Sequence, residues 1–539
     1  MHRDRSTSVD RPLGFLLAAL ALSAATLATL AEDKTEPPAK ARQFKSNYNL
    51  VVVEWTPAGI LETRGMTGPF QKKAVSLPAG AVWMVQPTSG YGIGFGGNLP
   101  GGPNGAANIG GGGLIGGANL GGGGALGVNL GGALGIGGGI PGNPPLPLPK
   151  GKMPGGVVDQ PGFQGEGFKV LLSEMRKQAI PGLNVFAQAI DPDNLEKVVT
   201  LPGFKTLALT SNPHIDDEHL ARLSKGRSLS TLLFHQTPKI SNKGLSDVAR
   251  LPALQSLSLD GDNIRDDSLK ALQSADRLHT LRLGPTCTLT AKGLAELRNL
   301  PKLERLDLCL PVTAEMLQEV AKCTTLTKLR LNAASLQGKE LAALAKLDKL
   351  ESLTLDTQYR LHPPMLLGAS VDGKLRWQTA QMFGVAMGFN PAAPPAAPDK
   401  PQASLSLEAL KELGSLRELV LWHPGLTDAD LEQLSKLSAL KRLHLHAPDL
   451  GDASLGVLEK LKNLESLDLT GTGVSPKLAK TLARLPKLKV LRVNLLANDP
   501  KAKAALNAWR TALPRVQVRP AELPPSISAF SMVGGNLGG

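Results

Sequence analysis

An α/β solenoid of about eleven strand–turn–helix units, with a parallel concave sheet, is the fold that the second half of this 539-residue sequence predicts. Three observations predict it. Residues Leu416 to Lys487 are three consecutive 24-residue units, LRELVLWHPGLTDADLEQLSKLSA, LKRLHLHAPDLGDASLGVLEKLKN and LESLDLTGTGVSPKLAKTLARLPK. With Leu416, Leu440 and Leu464 at position 1, apolar residues recur at positions 4 and 6 (Leu419, Leu421; Leu443, Leu445; Leu467, Leu469). They recur again at 11 (Leu426, Leu450, Val474), 19 (Leu434, Leu458, Leu482) and 22 (Leu437, Leu461, Leu485). The early positions alternate with the period of a strand and the later ones with that of a helix. Unit openings then recur at Phe204, Leu229, Leu254, Leu278, Leu303, Leu326, Leu350, Leu416, Leu440, Leu464 and Leu488, at spacings of 23 to 25 with one exception. One such unit cannot bury its apolar face, whereas stacked units can.

Ahead of the solenoid the chain reads in four parts. Residues 1–31 have the pattern of an export signal: Arg3, Arg5 and Arg11 precede an apolar run from Leu13 to Leu30, and Thr29-Leu30-Ala31 puts small residues at the cleavage positions. The alternative is an uncleaved N-terminal anchor, since the run is near the spanning minimum; cleavage is the favoured reading. Residues 32–87 hold a charged tether and a small β unit, with strands at Asn49–Trp55 and Ala79–Gln86, too short to be secure alone. Residues 88–157 are rich in Gly and Pro and predict a flexible, disordered linker. No GxxxxGK[ST] occurs there, and no helix follows the glycines, so a phosphate cradle is excluded. Residues 158–203 predict an N-terminal cap, a helix at Phe168–Gln178 followed by a degenerate strand–helix unit.

The exceptional spacing, from Leu350 to Leu416, places an insert at 359–404, between the intact strand LESLTL and a helix at Leu405–Leu413. Its Pro/Ala-rich second half predicts disorder. The array closes with a helix at Ala504–Leu513 and a strand at Val516–Val518, and 522–539 is a flexible tail.

Turn chemistry agrees with this register. Ser241, Thr290, Thr313 and Thr427 stand where they cap helix N-termini, and Ser475-Pro476 sets a cap before a proline at the first helical position. The LxxLxL cores, with Ser241-x-x-Gly244-Leu245 and Thr290-x-x-Gly293-Leu294, resemble the leucine-rich repeat family, in its ribonuclease-inhibitor-like and cysteine-containing-like classes and of exported bacterial type. The resemblance covers about two thirds of the chain, Ile180 to Pro520. It implies a horseshoe whose concave sheet is the contact face.

The net charge of +13, taken as spread along the chain, permits an acidic partner without requiring one. Cys287, Cys309 and Cys323 lie in neighbouring units and read as small buried residues rather than a disulfide framework. Positions 3, 5 and 7 of each unit are expected to face out of the concave sheet. Two patches stand out there. Arg282, Arg305, Lys328 and Arg330 surround Asp307, and Arg282–Asp307–Arg330 predicts a ladder of alternating charge on adjacent strands. Such a ladder either satisfies itself or offers its basic surplus to an acidic surface. The second patch is Trp422, Arg442, His444 and His446, a contact hot spot of aromatic and basic character. His444 and His446 share a strand face as metal ligands would, but Asp468 is the nearest carboxylate and no third His or Cys adjoins them, so no metal is assigned.

No GxSxG, HExxH or CxxC occurs, and Asp216-Asp217 and Asp266-Asp267 sit at helix starts, where they complement the macrodipole. No cofactor is implied. The reading is an exported, non-enzymatic scaffold (periplasmic, cell-surface or secreted) that recognises a protein partner through its concave face. Alternatives are a binder of anionic polysaccharide or envelope polymer, an enzyme whose activity lies outside the repeats, and, by resemblance, an F-box-like substrate reader. The last lacks an F-box-like segment before the repeats and conflicts with the export signal. Nucleic acid is disfavoured because the basic residues lack interleaved aromatics. Beyond the signal, no stretch is apolar enough to span a bilayer.

Overall fold

The computed structural model describes residues 41–56, 61–87 apart from 69, 70 and 72, and 162–356 apart from 337. It also describes two strands at 366–371 and 374–379, then 405–496 apart from 424, 448 and 449, and finally 500–521. The signal, the tether before residue 41, the Gly-rich stretch 88–157, the rest of the insert and the tail 522–539 fall outside them. The chain divides into two units, one of residues 1–90 with 160–539 and one of 91–159. All that follows concerns the first.

Its N-terminal strands are β1 (Arg42–Phe44), β2 (Leu50–Trp55), β3 (Leu61–Thr67), β4 (Val75–Leu77) and β5 (Val82–Pro87). β2 lies antiparallel between β3 and β5, and β1 pairs with β4. The unit is tied to the helix Gly165–Lys177: Ser46 donates to the buried Glu174 carboxylate at 2.6 Å, and Arg42 donates to the carbonyls of Gln178 and Ala179 just beyond the helix. Phe44 packs on Trp83 with ring centroids 5.1 Å apart. Through Val85 and Leu183, β5 joins β6 (Gly182–Phe186) in parallel, so a segment too short to hold alone extends the solenoid sheet.

From β6 the sheet runs on in parallel through β7 (Thr206–Thr210), β8 (Thr231–His235), β9 (Ser256–Asp260), β10 (Thr280–Leu283), β11 (Arg305–Pro311), β12 (Lys328–Asn332) and β13 (Ser352–Asp356). The insert's hairpin, β14 (Leu366–Val371) and β15 (Lys374–Thr379), stands outside this succession. β13 pairs directly with β16 (Glu418–Trp422), residue for residue from Ser352↔Glu418 to Asp356↔Trp422. β17 (Arg442–Ala447), β18 (Ser466–Thr472), β19 (Val490–Leu496) and β20 (Gln517–Ala521) complete the order. Among the described residues the result is an open sheet of sixteen strands, β3-β2-β5 followed by thirteen parallel ones. This is a leucine-rich-repeat-like α/β solenoid.

The sequence periodicity explains the stacking. Leucines at positions 1, 4, 6, 19 and 22 are buried in every unit from Leu416 to Leu485. Each buries a side chain worth about 1.5–3 kcal/mol, and those at position 4 stand in register with their counterparts on the strands on either side. The caps form as the turn chemistry predicts. Ser241, Thr290, Thr313, Thr427 and Ser475 accept from backbone N–H groups two or three residues on. After Gly338, Leu407 and Ala453, which offer no side-chain cap, the segments are 3₁₀-helices, including the predicted helix at 405–413, which shortens to Glu408–Glu412.

Three aspartates at helix starts do more than complement a dipole. Asp217 accepts from the N–H of Ser241 at 2.9 Å and also from its hydroxyl. Asp266 does the same to Thr290, at 2.8 and 2.6 Å, and Asp452 to Ser475, at 2.7 and 2.5 Å. Each carboxylate therefore fastens its own unit to the cap of the next. The glycine of the Thr/Ser-x-x-Gly-Leu turn follows from this. A Cβ on Gly293 would lie 2.3 Å from Asp266 Oδ1 and 2.8 Å from its Cα, and one on Gly244 would lie 2.4 Å from Asp217 Oδ1. Gly293→Ala is expected to displace Asp266 and cost about 1–2 kcal/mol in urea denaturation. An unchanged midpoint would show that the fastening contributes nothing.

Candidate recognition face

The concave face is not open along its whole length. β2 alternates Val51, Val53 and Trp55 on one side, and that side needs an apolar partner. It finds one because the position-5 residues of the first two regular units are Ala208 and Leu233 rather than polar residues. Val53, Met84, Ala208 and Leu233 form a closed apolar cluster, with Val51 and Trp55 beside it. The β unit thus covers the first strands of the concave face.

Trp55 reaches further along the sheet. Its ring lies 6.1 Å from that of His235, and the guanidinium carbon of Arg282 sits 5.9 Å from its centroid. Arg282 is consequently only 8% exposed and Asp307 only 3%. Sequence position places both on an open face; the structure covers them, because the roof over the first strands extends to β10 and β11. Between roof and sheet is a cavity of about 380 Å³, lined by Glu54, Trp55, the turn Pro78–Val82, Thr280, Arg282, Arg305 and Asp307. The N-terminal contributors to this cavity were missed at the sequence level. Their signal was Ala208 and Leu233, apolar where later units carry Ser, Arg and Asp.

Register sets Arg282, Asp307 and Arg330 opposite one another on adjacent strands, as the expected ladder requires. Two ion pairs lie within this register. Arg305, on the same strand as Asp307 and on the same face, grips it with Nε at 3.1 Å and Nη2 at 2.9 Å. Arg330 reaches to Asp356 on the adjacent strand β13 at 3.2 Å. The same-strand pair forms because residues two apart point the same way and an arginine is long enough to fold back on its neighbour. Lys328 is exposed. Further on, Arg442 donates to Glu418 at 3.1 Å. Burial would raise the Glu418 carboxyl, but the hydrogen bond and charge of Arg442 hold it below its usual range.

The second patch is assembled as a unit. Trp422 and His446 are direct partners on β16 and β17, and their rings stack 4.4 Å apart at 10°. The His444 ring is 5.6 Å from Trp422. On its other side His446 rests against Gly471, where a Cβ would come within 1.9 Å of Nδ1. Burial pushes His446 down to about 4, aided by the charge of His444 and opposed by Asp468. His444 is lowered as well, by burial first, with Asp468 opposing and Arg492 assisting. Both rings are therefore neutral at pH 7. His444 Nδ1 is 3.9 Å from Asp468 Oδ2, and Arg492 Nη1 is 3.8 Å from the same oxygen. Among the described residues, no three His, Cys, Asp or Glu side chains converge as metal ligands.

All three cysteines are buried. Burial raises Cys287 to about 12 and Cys323 to about 11, so neither supplies a thiolate at neutral pH.

No protein-family model and no curated protein matches the chain. Among solved structures it is similar to an internalin from Listeria monocytogenes str. 4b F2365, at 17% identity over 67% of this chain and 91% of that one, with a TM-score of 0.34. It is also similar to TLR13, solved as a TLR13–ssRNA13 complex, at 21% identity over 66% of this chain and 50% of that one, with a TM-score of 0.35. The chain thus spans about half of the TLR13 chain. The assignment as a repeat solenoid rests on the strand register and the leucine stacking described above.

Proposed function

We propose that this chain is an exported, non-enzymatic scaffold that recognises a protein partner through the uncovered part of its concave face, from Lys328 on β12 to His446 on β17. The observation that carries this reading is the Trp422–His446 stack. It is a neutral, half-buried aromatic surface on an open sheet, bordered by the Glu418–Arg442 ion pair. Aromatic anchors with a polar rim are the usual source of binding energy at protein interfaces. The half-open pocket beside Trp55 favours a narrower second reading, in which a small ligand or a single partner side chain enters between roof and sheet.

The test is affinity capture from envelope and secreted fractions with the full chain, followed by measurement of Kd for the captured partner. Trp422→Ala is expected to weaken binding by about 30-fold or more, and Lys328→Glu by less. Binding unchanged by both substitutions would remove the concave face as the contact surface. Binding lost only with Trp55→Ala would favour the cavity.

A further inference from the structure

The positive charge is not spread along the chain. Residues 473–539 contain eleven Lys and Arg against two acidic residues, a net of +9, which leaves only +4 for the preceding 472. Within the fold five of them, Lys477, Lys480, Lys503, Arg510 and Arg515, are exposed on the C-terminal cap. The helix Pro500–Ala512 turns Ala502, Leu506 and Trp509 inward and presents Lys503, Asn507 and Arg510 outward, residues at helical spacing on one face. It packs on the helical segment Pro476–Leu482, whose exposed residues are Lys477 and Lys480. Arg515 is exposed in the turn that follows.

Three of the eleven are offset by carboxylates of preceding units, Arg484 by Glu459, Lys489 by Glu465 and Arg492 by Asp468. Beyond Asp468 the units supply Asp499 alone before residue 522. None of Lys477, Lys480, Lys503, Arg510 or Arg515 makes an ion pair among the described residues. Keeping one sheet edge from pairing with another chain would need charge on β20 only. This array instead spreads over two helices behind that edge.

We infer that the C-terminal cap is a docking surface for an acidic polysaccharide, one carrying a carboxylate on each sugar. A row of separated cations on rigid helices matches a polymer with regularly repeated negative charge. The one tryptophan of the cap, Trp509, is buried, so the surface has no platform for stacking unpaired bases. Among the described residues it exposes no large apolar side chain to enter a lipid layer. The export expected from residues 1–31, on which the choice of polysaccharide rests, places the surface among extracellular polymers. This surface is separate from the concave face, so the chain holds its partner and its polymer at two places.

The experiment measures binding of the full chain to labelled oligogalacturonate, to a DNA duplex and to anionic lipid vesicles, at about 50 and about 200 mM NaCl. One variant carries Lys477→Glu, Lys480→Glu, Lys503→Glu and Arg510→Glu. A control carries Lys225→Glu, Arg227→Glu, Lys243→Glu and Lys270→Glu, an equal charge change at exposed positions of earlier units. Oligogalacturonate binding is expected to fall about 100-fold in the first variant, less than about 3-fold in the control, and steeply with salt in the wild type. If the first variant does not fold by circular dichroism, glutamine at the same four positions replaces it, with about 10-fold as the expected loss. Equal losses in the two variants, or no binding at low salt, would overturn the proposal. Tighter binding of duplex or vesicle, lost in the same variant, would overturn the choice of polysaccharide.

Discussion

Gly182→Ala is expected to lift the N-terminal β unit off the solenoid. A Cβ at this position on β6 would stand 2.8 Å from the Trp83 carbonyl oxygen, 2.8 Å from Met84 Cβ and 3.0 Å from Thr206 Cβ. The first of these is backbone and the others are the roots of side chains, so no rotamer change relieves the clash; β5 itself must move. With it go the Val85–Leu183 pairing and the 2.9 Å hydrogen bond from Asn184 to Gln86. Overpacking of this kind costs about 1–3 kcal/mol, occasionally more. Repeat solenoids lose structure unit by unit, so the loss should stay local. Hydrogen exchange should accelerate across Leu50–Trp55 and Val82–Pro87, and Trp55 should become solvated, while Glu418–Trp422 keeps its protection. Uniform protection in the variant, with an unchanged melting temperature, would mean that the seam between unit and solenoid is looser than the packing shows.

Acid should weaken the fold before its carboxylates titrate. His446 is buried neutral, with its folded pKa pushed down to about 4, against about 6.5 in an unfolded chain. The unfolded state therefore takes up the proton first. The contribution of the neutral ring is complete above about pH 6.5 and is lost as pH falls from there toward 4. A difference of that size corresponds to at most about 3 kcal/mol. His444, lowered by the same burial, adds to the loss in the same direction. The charged groups that face the pair, Asp468 and Arg492, act in opposite senses. Carboxylates held below their usual range, among them Glu418, withdraw their stabilisation only at lower pH. Urea denaturation of the wild type should thus show stability falling between pH 6.5 and 5, and His446→Phe, which keeps the stack on Trp422, should flatten that slope by about one proton. An identical slope in the variant would show that His446 is not the group taking up the proton.

Much of this molecule was legible before any coordinates. Leucine at positions 1, 4 and 6 and again at 19 and 22 encodes both the strand and the helix of each unit, because burial of one face at two different periods admits few other arrangements. Ser241, Thr290, Thr427 and Ser475 announced helix starts, since a hydroxyl in front of unsatisfied N–H groups acts locally. Trp422 and His446 shared a patch in the one-dimensional reading for the same reason: parallel strands in register bring equal positions side by side.

Contacts between distant segments were a different matter. Nothing within residues 42–87 says that Val53 and Met84 will close over Ala208 and Leu233, more than 120 residues away. That docking buries Arg282 and Asp307, and it makes the cavity beside Trp55 out of two remote pieces of chain. In the same way, the pairing of Asp307 with Arg305 on its own strand depends on the reach of a side chain, a matter of ångströms that spacing alone does not specify. The repeat solenoid was encoded locally, because each unit needs only its neighbours. Which part of the concave face stays open depends on burying the apolar side of a β unit that no repeat contains.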